Sequence, residues 1–290
     1  MKKQKLTILL PYLFLIPTFA GIAVFGFYPF LKTIISSFSL TDQYGEWIKW
    51  AGTYFWKKMT TYESGIFWKM LGTTLMFSGL NFLFTFSAGM FLALLCVKKG
   101  KMNRLYQTIY ALPIAISSVA ASVMWSFIFK GNGGLMNTWL GVGTDWLRNE
   151  DTALVVVSFI TSWCHVGTSF LLLLAGFRSV PMDVQEAAML DGASYVTRAF
   201  KILIPMASPQ IFFVVFTNIL SAVKTFTQIR MLTFGGPQDA TRTLMFEIYY
   251  KGIELGEYES ACCLSIVMFL IIFIITRIQF LFEKKLVHYQ

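Results

Sequence analysis

Long, almost wholly apolar runs alternate along this chain with short connections in which the charges collect. Six runs, residues 7–31, 67–97, 106–129, 153–177, 209–227 and 261–282, are each long enough to cross about 30 Å of hydrocarbon as a helix. The pattern predicts an all-α integral membrane protein with six transmembrane helices. Residues 1–66 would supply one helix and an outer loop, and residues 67–290 the other five, with a connection at 178–208 between the fourth and fifth. Prolines fall inside the first run (Pro11, Pro17, Pro29) and the third (Pro113). Neighbouring helices can satisfy the carbonyls that a proline frees, so kinks are expected there.

Composition agrees with the pattern. The 290 residues are 56% hydrophobic and 13% charged, with mean hydropathy +0.62, against about 25% charged in soluble domains. A soluble fold would have to bury several apolar runs of about 20 residues, which such folds rarely contain. The net charge of +9 lies scattered at the edges of the runs and forms no stripe, which argues against nucleic acid as a partner. Cys96, Cys164, Cys262 and Cys263 fall in or beside apolar runs and read as small buried hydrophobes. No Cys-x-x-Cys pair occurs and the only histidines are His165 and His288, so neither a disulfide framework nor a metal site is expected. Lys2, Lys3 and Lys5 precede an apolar run too long for the core of a signal peptide, so a retained first span is expected.

Six spans put both termini on one side of the membrane. On that side the connections are net positive, with Lys98, Lys99, Lys101 and Arg104 packed into the shortest of them, whereas the opposite side balances to zero. Short basic loops face the cytoplasm, which places both termini there.

The connection at 178–208 contains EAAMLDGASYVTRAFKILIP, residues 186–205. Asp183-x-x-Glu186 has capping-box spacing and predicts a helix from about Val184. Gly192 can end it in a left-handed conformation. Ser194 can cap a second helix through Leu203, with Pro205 discouraging continuation. Two short cytosolic helices joined at a glycine have three readings. They could be a solvated loop, or a helix-turn-helix, which Glu186, Asp191 and the membrane tethers disfavour. Or they could be a docking element, with Ala187 and Ala188 allowing close approach, Val184, Leu190, Phe200 and Ile202 offering apolar contacts, and Glu186 a charge.

Glu186-Ala187-Ala188, then Asp191-Gly192-Ala193, Phe200, Ile202, Pro205 and Pro209 resemble the EAA motif of permease subunits of binding-protein-dependent ABC importers, in particular the carbohydrate-uptake family. Leu112-Pro113, Trp125 and Gly134 are similar to that family's third span and following loop. Gly235-Gly236-Pro237, Thr241, Thr243 and Tyr249 are similar to its outer segment before the last span. The resemblance covers residues 67–290. Two features depart from it: Phe234, where the family often has glycine, and the acidic ELGEYES at 254–260.

The resemblance implies a multi-pass bacterial plasma-membrane subunit that moves a carbohydrate by alternating access. A cytoplasmic ABC ATPase dimer would bind ATP and Mg, an extracytoplasmic binding protein would deliver substrate to the loops around FGGPQDATR, and a second, related permease would complete the path. Glu186 would pair with a basic ATPase residue, Ala187 and Ala188 would pack closely, Gly192 would form the turn, and Asp191 and Pro205 belong to the same coupling element. The chain itself has no Gly-x-x-x-x-Gly-Lys-Ser/Thr, and GNGGLMNT at 131–138 lacks the lysine, so no ATP site, cofactor or catalytic residue is expected in it. Glycerol-3-phosphate or another polyol derivative is the alternative cargo. An ion-coupled secondary transporter is the rival of a different class, but every Asp and Glu falls in a loop or at a span end, leaving no intramembrane acid to couple ions.

Polar or aromatic side chains inside spans face a cavity or another helix. They nominate Asn81, Trp163, His165, Asn218, Ser221, Thr225 and Gln228 for the substrate path, Trp163, Asn218 and Gln228 being chemically suited to a sugar. The competing reading is that Ser, Thr and Asn merely bond helix to helix.

Overall fold

A computed structural model describes residues 14–42, 45–98 and 100–286, with side chains to 283 at that end. Lys2, Lys3, Lys5, Pro11, Lys99 and His288, and the side chains of Lys284 and Lys285, lie outside the described residues.

Four continuous helices are long and apolar enough to cross a membrane: α1 (Phe14–Ser36), α3 (Ser64–Leu95), α7 (Glu150–Ser179) and the last helix, Tyr258–Leu286. The third and fifth runs are not single rods. The third is α4 (Lys101–Ala111), extended by a 3-10 turn at Leu112–Ala115, then α5 (Ser118–Ile128), bent by 102°, with the short α6 (Leu135–Leu140) after it. Pro113 sits in that turn, so the expected kink becomes a corner. The fifth is α10 (Ser208–Val223), which ends four residues before the predicted boundary and meets the helix before it at 75°. If each bent pair is one span, the described residues supply six.

Two prolines are carried inside helices without ending them. A π turn at Ala23–Phe27 precedes Pro29, and one at Ala199–Leu203 precedes Pro205. In both, the residue four before the proline, Phe25 or Lys201, lies mid-turn. The wider turn moves that carbonyl off the proline ring, relieving the clash that would otherwise break the helix.

The chain divides into two compact units. The first takes residues 1–67 and 247–269. After α1 come a two-stranded antiparallel hairpin, β1 (Ser39–Thr41) and β2 (Trp47–Trp50), and a short helical segment α2 (54–62). Buried Glu259 ties β1 down, its carboxylate accepting from the Thr41 amide at 2.7 Å and hydroxyl at 3.0 Å. Lys58, Glu63, Lys251 and Glu257 form an ionic cluster, with Lys251 Nζ 2.5 Å from Glu63 and Lys58 Nζ 3.4 Å from Glu257. Burial alone would raise the Glu63 carboxyl, but the hydrogen bond and charge of Lys251, joined by Lys58, hold it below its ordinary 4.5. A carboxylate held low stabilises the fold above its unfolded value and loses that contribution as pH falls through the folded one. The melting temperature of the purified protein should therefore drop more steeply below pH 4.5 than that of Glu63→Gln. Parallel profiles between neutral and acid pH would show that this carboxylate contributes nothing.

The second unit, residues 68–246 and 270–290, is built around α7. Close contacts replace side chains at three points on it. A methyl group at Gly176 would lie 2.6 Å from Gln210 Cβ of α10, one at Gly167 would lie 2.8 Å from Ile114, and one at Gly89 of α3 would lie 3.1 Å from Ser169 Cβ. Small residues allow membrane helices to pack without a hydrophobic driving force between them. Phe170, Leu173 and Phe177 of α7 then form a core with Ala93, Leu203 and Val214. Gly176→Leu should cost about 1–3 kcal/mol by overpacking, read as a lower melting temperature, whereas Gly79→Ala, with open space around it, should be neutral.

Candidate coupling surface and substrate path

The connection after α7 is shaped by local chemistry. Val180 is extended, as a residue before proline prefers, and Pro181 stands at the N-cap of α8 (Met182–Leu190). The expected capping box is not formed. The helix starts two residues early, so Asp183 falls in its first turn, where it complements the helix dipole. At the other end Gly192 has φ +79°. Its amide donates to the Met189 carbonyl at 3.1 Å, and the Ala193 amide to the Ala188 carbonyl at 2.9 Å. That pair of bonds is a Schellman motif, which requires a left-handed residue at Gly192. Ser194 Oγ then accepts from the Thr197 amide at 3.2 Å and caps α9 (Tyr195–Met206), as its spacing predicted. Pro205 does not end α9 at Leu203; the preceding π turn carries the helix on to Met206.

On α8, Met182, Glu186, Met189 and Leu190 recur at i, i+4, i+7 and i+8 and share one exposed face. Ala187 is also exposed and Ala188 is half-buried. On α9 the exposed face carries Val196 and Phe200, while Ala199, Ile202 and Leu203 turn inward. Leu190 is 90% exposed, Phe200 65% and Val196 63%. Of the apolar contacts expected, Val184, Leu190 and Phe200 face outward; Ile202 packs into the core of its own chain. Met182, Met189 and Val196 went unnoticed in the sequence, though helical spacing from Glu186 and Phe200 points to them. Asp191 is exposed at the C-cap.

The nominated path residues divide into groups. Asn81 of α3 is buried and donates to the Ser162 hydroxyl at 3.3 Å and the Ser158 carbonyl at 3.4 Å of α7. Asn218 of α10 accepts from Ser169 at 2.9 Å, and its amide nitrogen is buried with no partner. Each thereby bonds one helix to another. Buried Thr225 donates to the carbonyl of exposed Ser221. Buried Gln228, in α11 (Thr227–Leu232), lies beside Cys164 of α7. His165 is half-buried on α7 between Ser162 and Ser169, three residues from one and four from the other.

Trp163 faces a sizeable cavity. That space, about 460 Å³, lies between α3 and α7 and is lined by Phe84, Ser87, Ala88, Leu92, Phe159, Ser162, Trp163 and Val166. Trp125 of α5 braces the Trp163 ring edge to face at 5.5 Å. Aromatic faces beside two hydroxyls suit a ligand with one apolar and one hydroxylated face.

The segment before the last helix is tightly wound. Phe234, Gln238 and Asp239 have positive φ, and Thr241 Oγ1 donates to the Gly236 carbonyl at 2.7 Å. Phe234 at φ +51° explains why glycine is favoured there. Its ring is held against Phe246 at 5.4 Å and under the Arg230 guanidinium at 5.9 Å. A pocket of about 320 Å³ beside it is lined by Leu147, Arg148, Arg230, Met231, Leu232, Thr233, Phe234, Gly236 and Pro237.

Residues 85–288 match the family of binding-protein-dependent transport system inner membrane components. Over 285 residues the chain is 32% identical to the sn-glycerol-3-phosphate transport system permease protein UgpA of Yersinia enterocolitica, covering 97% of this chain and 96% of that protein. The Salmonella choleraesuis protein of the same name is 31% identical over 287 residues, with the same shares covered. Among solved structures, a bacterial ABC transporter involved in import of the acidic polysaccharide alginate aligns over 99% of both chains with a TM-score of 0.84 at 22% identity. The MetNI methionine ABC transporter aligns over 76% of this chain and 94% of that one, with a TM-score of 0.54 at 16% identity.

Proposed function

The chain belongs to the family of binding-protein-dependent transport system inner membrane components, and from that premise we propose a division of labour for it. It is a permease subunit of an ATP-driven ABC importer, paired in the membrane with a second, related permease. A cytoplasmic ATPase dimer binds ATP and Mg, and an extracytoplasmic binding protein delivers the cargo. Both termini lie in the cytoplasm. The α8–α9 pair seats in a cleft of one ATPase subunit, with Glu186 paired to a basic residue, Ala187 and Ala188 packed closely, and Asp191, Gly192 and Pro205 shaping the element. ATPase closure moves the pair as a rigid body and drives α7 and α10 between inward-open and outward-open arrangements.

The observation that carries this reading is the apolar face of Met182, Met189, Leu190, Val196 and Phe200 around Glu186. A charged connection outside the spans has no reason to expose five large apolar side chains unless a partner covers them.

The cargo is a carbohydrate or polyol derivative. Trp163, Phe84 and Phe159 offer faces for a sugar ring, with Ser87 and Ser162 for its hydroxyls, and His165, Asn218, Ser221, Thr225, Gln228 and Asn81 complete the path. A second reading, sn-glycerol-3-phosphate, is favoured by the relatives that carry that name and by Arg148 and Arg230 at the outer pocket. Reconstitution with the ATPase, second permease and binding protein in proteoliposomes tests both: uptake of labelled maltooligosaccharide is compared with uptake of labelled sn-glycerol-3-phosphate. Uptake that needs internal ATP and survives a protonophore is expected. Uptake driven by an ion gradient without ATP would overturn the importer reading.

A further inference from the structure

The inner end of α3 is held from both sides of the α8–α9 pair. The last carbonyls of any helix lack partners within it and must find them elsewhere. Here the Tyr195 hydroxyl donates to the Leu94 carbonyl. Arg178 donates through Nη2 to the Cys96 carbonyl at 3.0 Å and through Nε to the Val97 carbonyl at 3.4 Å. Arg178 lies in the last turn of α7, just before the pair, and Tyr195 is the first residue of α9. The chain thus enters and leaves the pair beside one helix end. Lys98 Nζ and the Arg198 guanidinium flank the Tyr195 ring at 6.0 and 5.9 Å. Together with Arg178 they place positive charge at the negative pole of the α3 dipole.

Through covalent bonds alone, a movement of the pair reaches α7 and α10. We propose that Tyr195, backed by Arg178, latches α3 to the coupling pair as well. α3 then follows the pair and brings Phe84 and Ser87 with it, so one wall of the cavity at Trp163 shifts when the ATPases close. Tyr195 is a positioning residue, half-buried and turned away from the exposed face of Val196 and Phe200, and touches neither ATPase nor cargo. This inference rests on the docking reading above. Nothing in the spacing of residues 186–205 singles Tyr195 out; only its reach to Leu94 does.

The distance measurement uses the complete complex in lipid nanodiscs, spin-labelled at exposed Leu95 and Asp183 and trapped with MgATP and orthovanadate; ATPase stimulation is read separately without vanadate. In the wild type the distance between the labels should stay within about 2 Å on trapping, because the two elements move together. In Tyr195→Phe, which deletes one hydroxyl and keeps the ring, the trapped distance should change by a turn of helix, about 5 Å, and binding-protein-stimulated ATPase should fall three- to tenfold. Arg178→Lys, which loses the fork geometry, should do the same to a lesser degree. A residue that merely stabilises the fold would lower the melting temperature and leave the distance as in wild type. That outcome, or wild-type stimulation in Tyr195→Phe, overturns the latch. Failure of the ATPase to co-purify with the wild-type chain would instead overturn the docking reading, and the latch with it.

Discussion

Leu190→Asp is expected to strip the ATPase from the complex while leaving this chain folded in the membrane. Leu190 is 90% exposed, so the isolated chain should lose no more than about 0.5 kcal/mol, as for other surface substitutions. In the docked state the same side chain would sit at the centre of the apolar face with Met189 and Phe200. Burying a carboxylate there should cost at least about 2 kcal/mol, the scale of a hot spot, or roughly a thirtyfold weaker association. ATPase co-purification quantifies the loss, and the melting temperature of the purified chain is the control. Undiminished co-purification would mean that this face meets lipid or solvent and that the ATPase docks elsewhere.

Gly192→Val is expected to abolish uptake by a different route. Open space surrounds Gly192, with no atom within 4 Å of where a Cβ would stand, so crowding is not the obstacle; the backbone at φ +79° is. The left-handed conformation costs an ordinary residue about 1–2 kcal/mol, and a β-branched one more. Gly192→Pro, with φ fixed near −65°, cannot adopt it at all. Either variant should release the Schellman motif, let α8 and α9 reorient, and reduce ATP-driven uptake at least tenfold with normal membrane insertion. Gly192→Asn, which tolerates the left-handed region, should retain most of the uptake. Equal loss in Asn and Val variants would mean that a side chain at this position clashes with the docked ATPase, and that conformation is not the cause.

These two variants also mark where the sequence was legible. Gly192 and Ser194 act within four residues of themselves, so local spacing was enough to place the turn and the second cap. The capping box at Asp183 failed because Pro181 starts the helix sooner, a competition that spacing alone does not rank. Four of the six apolar runs fall on continuous helices and two on bent pairs, because hydropathy carries no direction. The 102° corner after Pro113 depends on Ile114 reaching α7 at Gly167, a contact 53 positions away in sequence. Asn81 and Asn218 were nominated for a path because polar groups are costly in lipid, and interhelical bonds to Ser162 and Ser169 satisfy the same condition. Trp163 was nominated on the same ground, and it lines the cavity between α3 and α7. Tyr195 was missed because its role appears only when α9 lies against the end of α3.

The exposed face of α8 and α9 also bears on how much of this subunit a cell can hold. If an ATPase docks there as proposed, Met189, Leu190, Val196 and Phe200 would form, until it covers them, the kind of apolar patch that chaperones and proteases recognise. A permease made in excess of its ATPase would be cleared through the surface that serves for docking. Subunit stoichiometry would then be set after synthesis, by occupancy of the coupling helices, with no need for matched rates of translation.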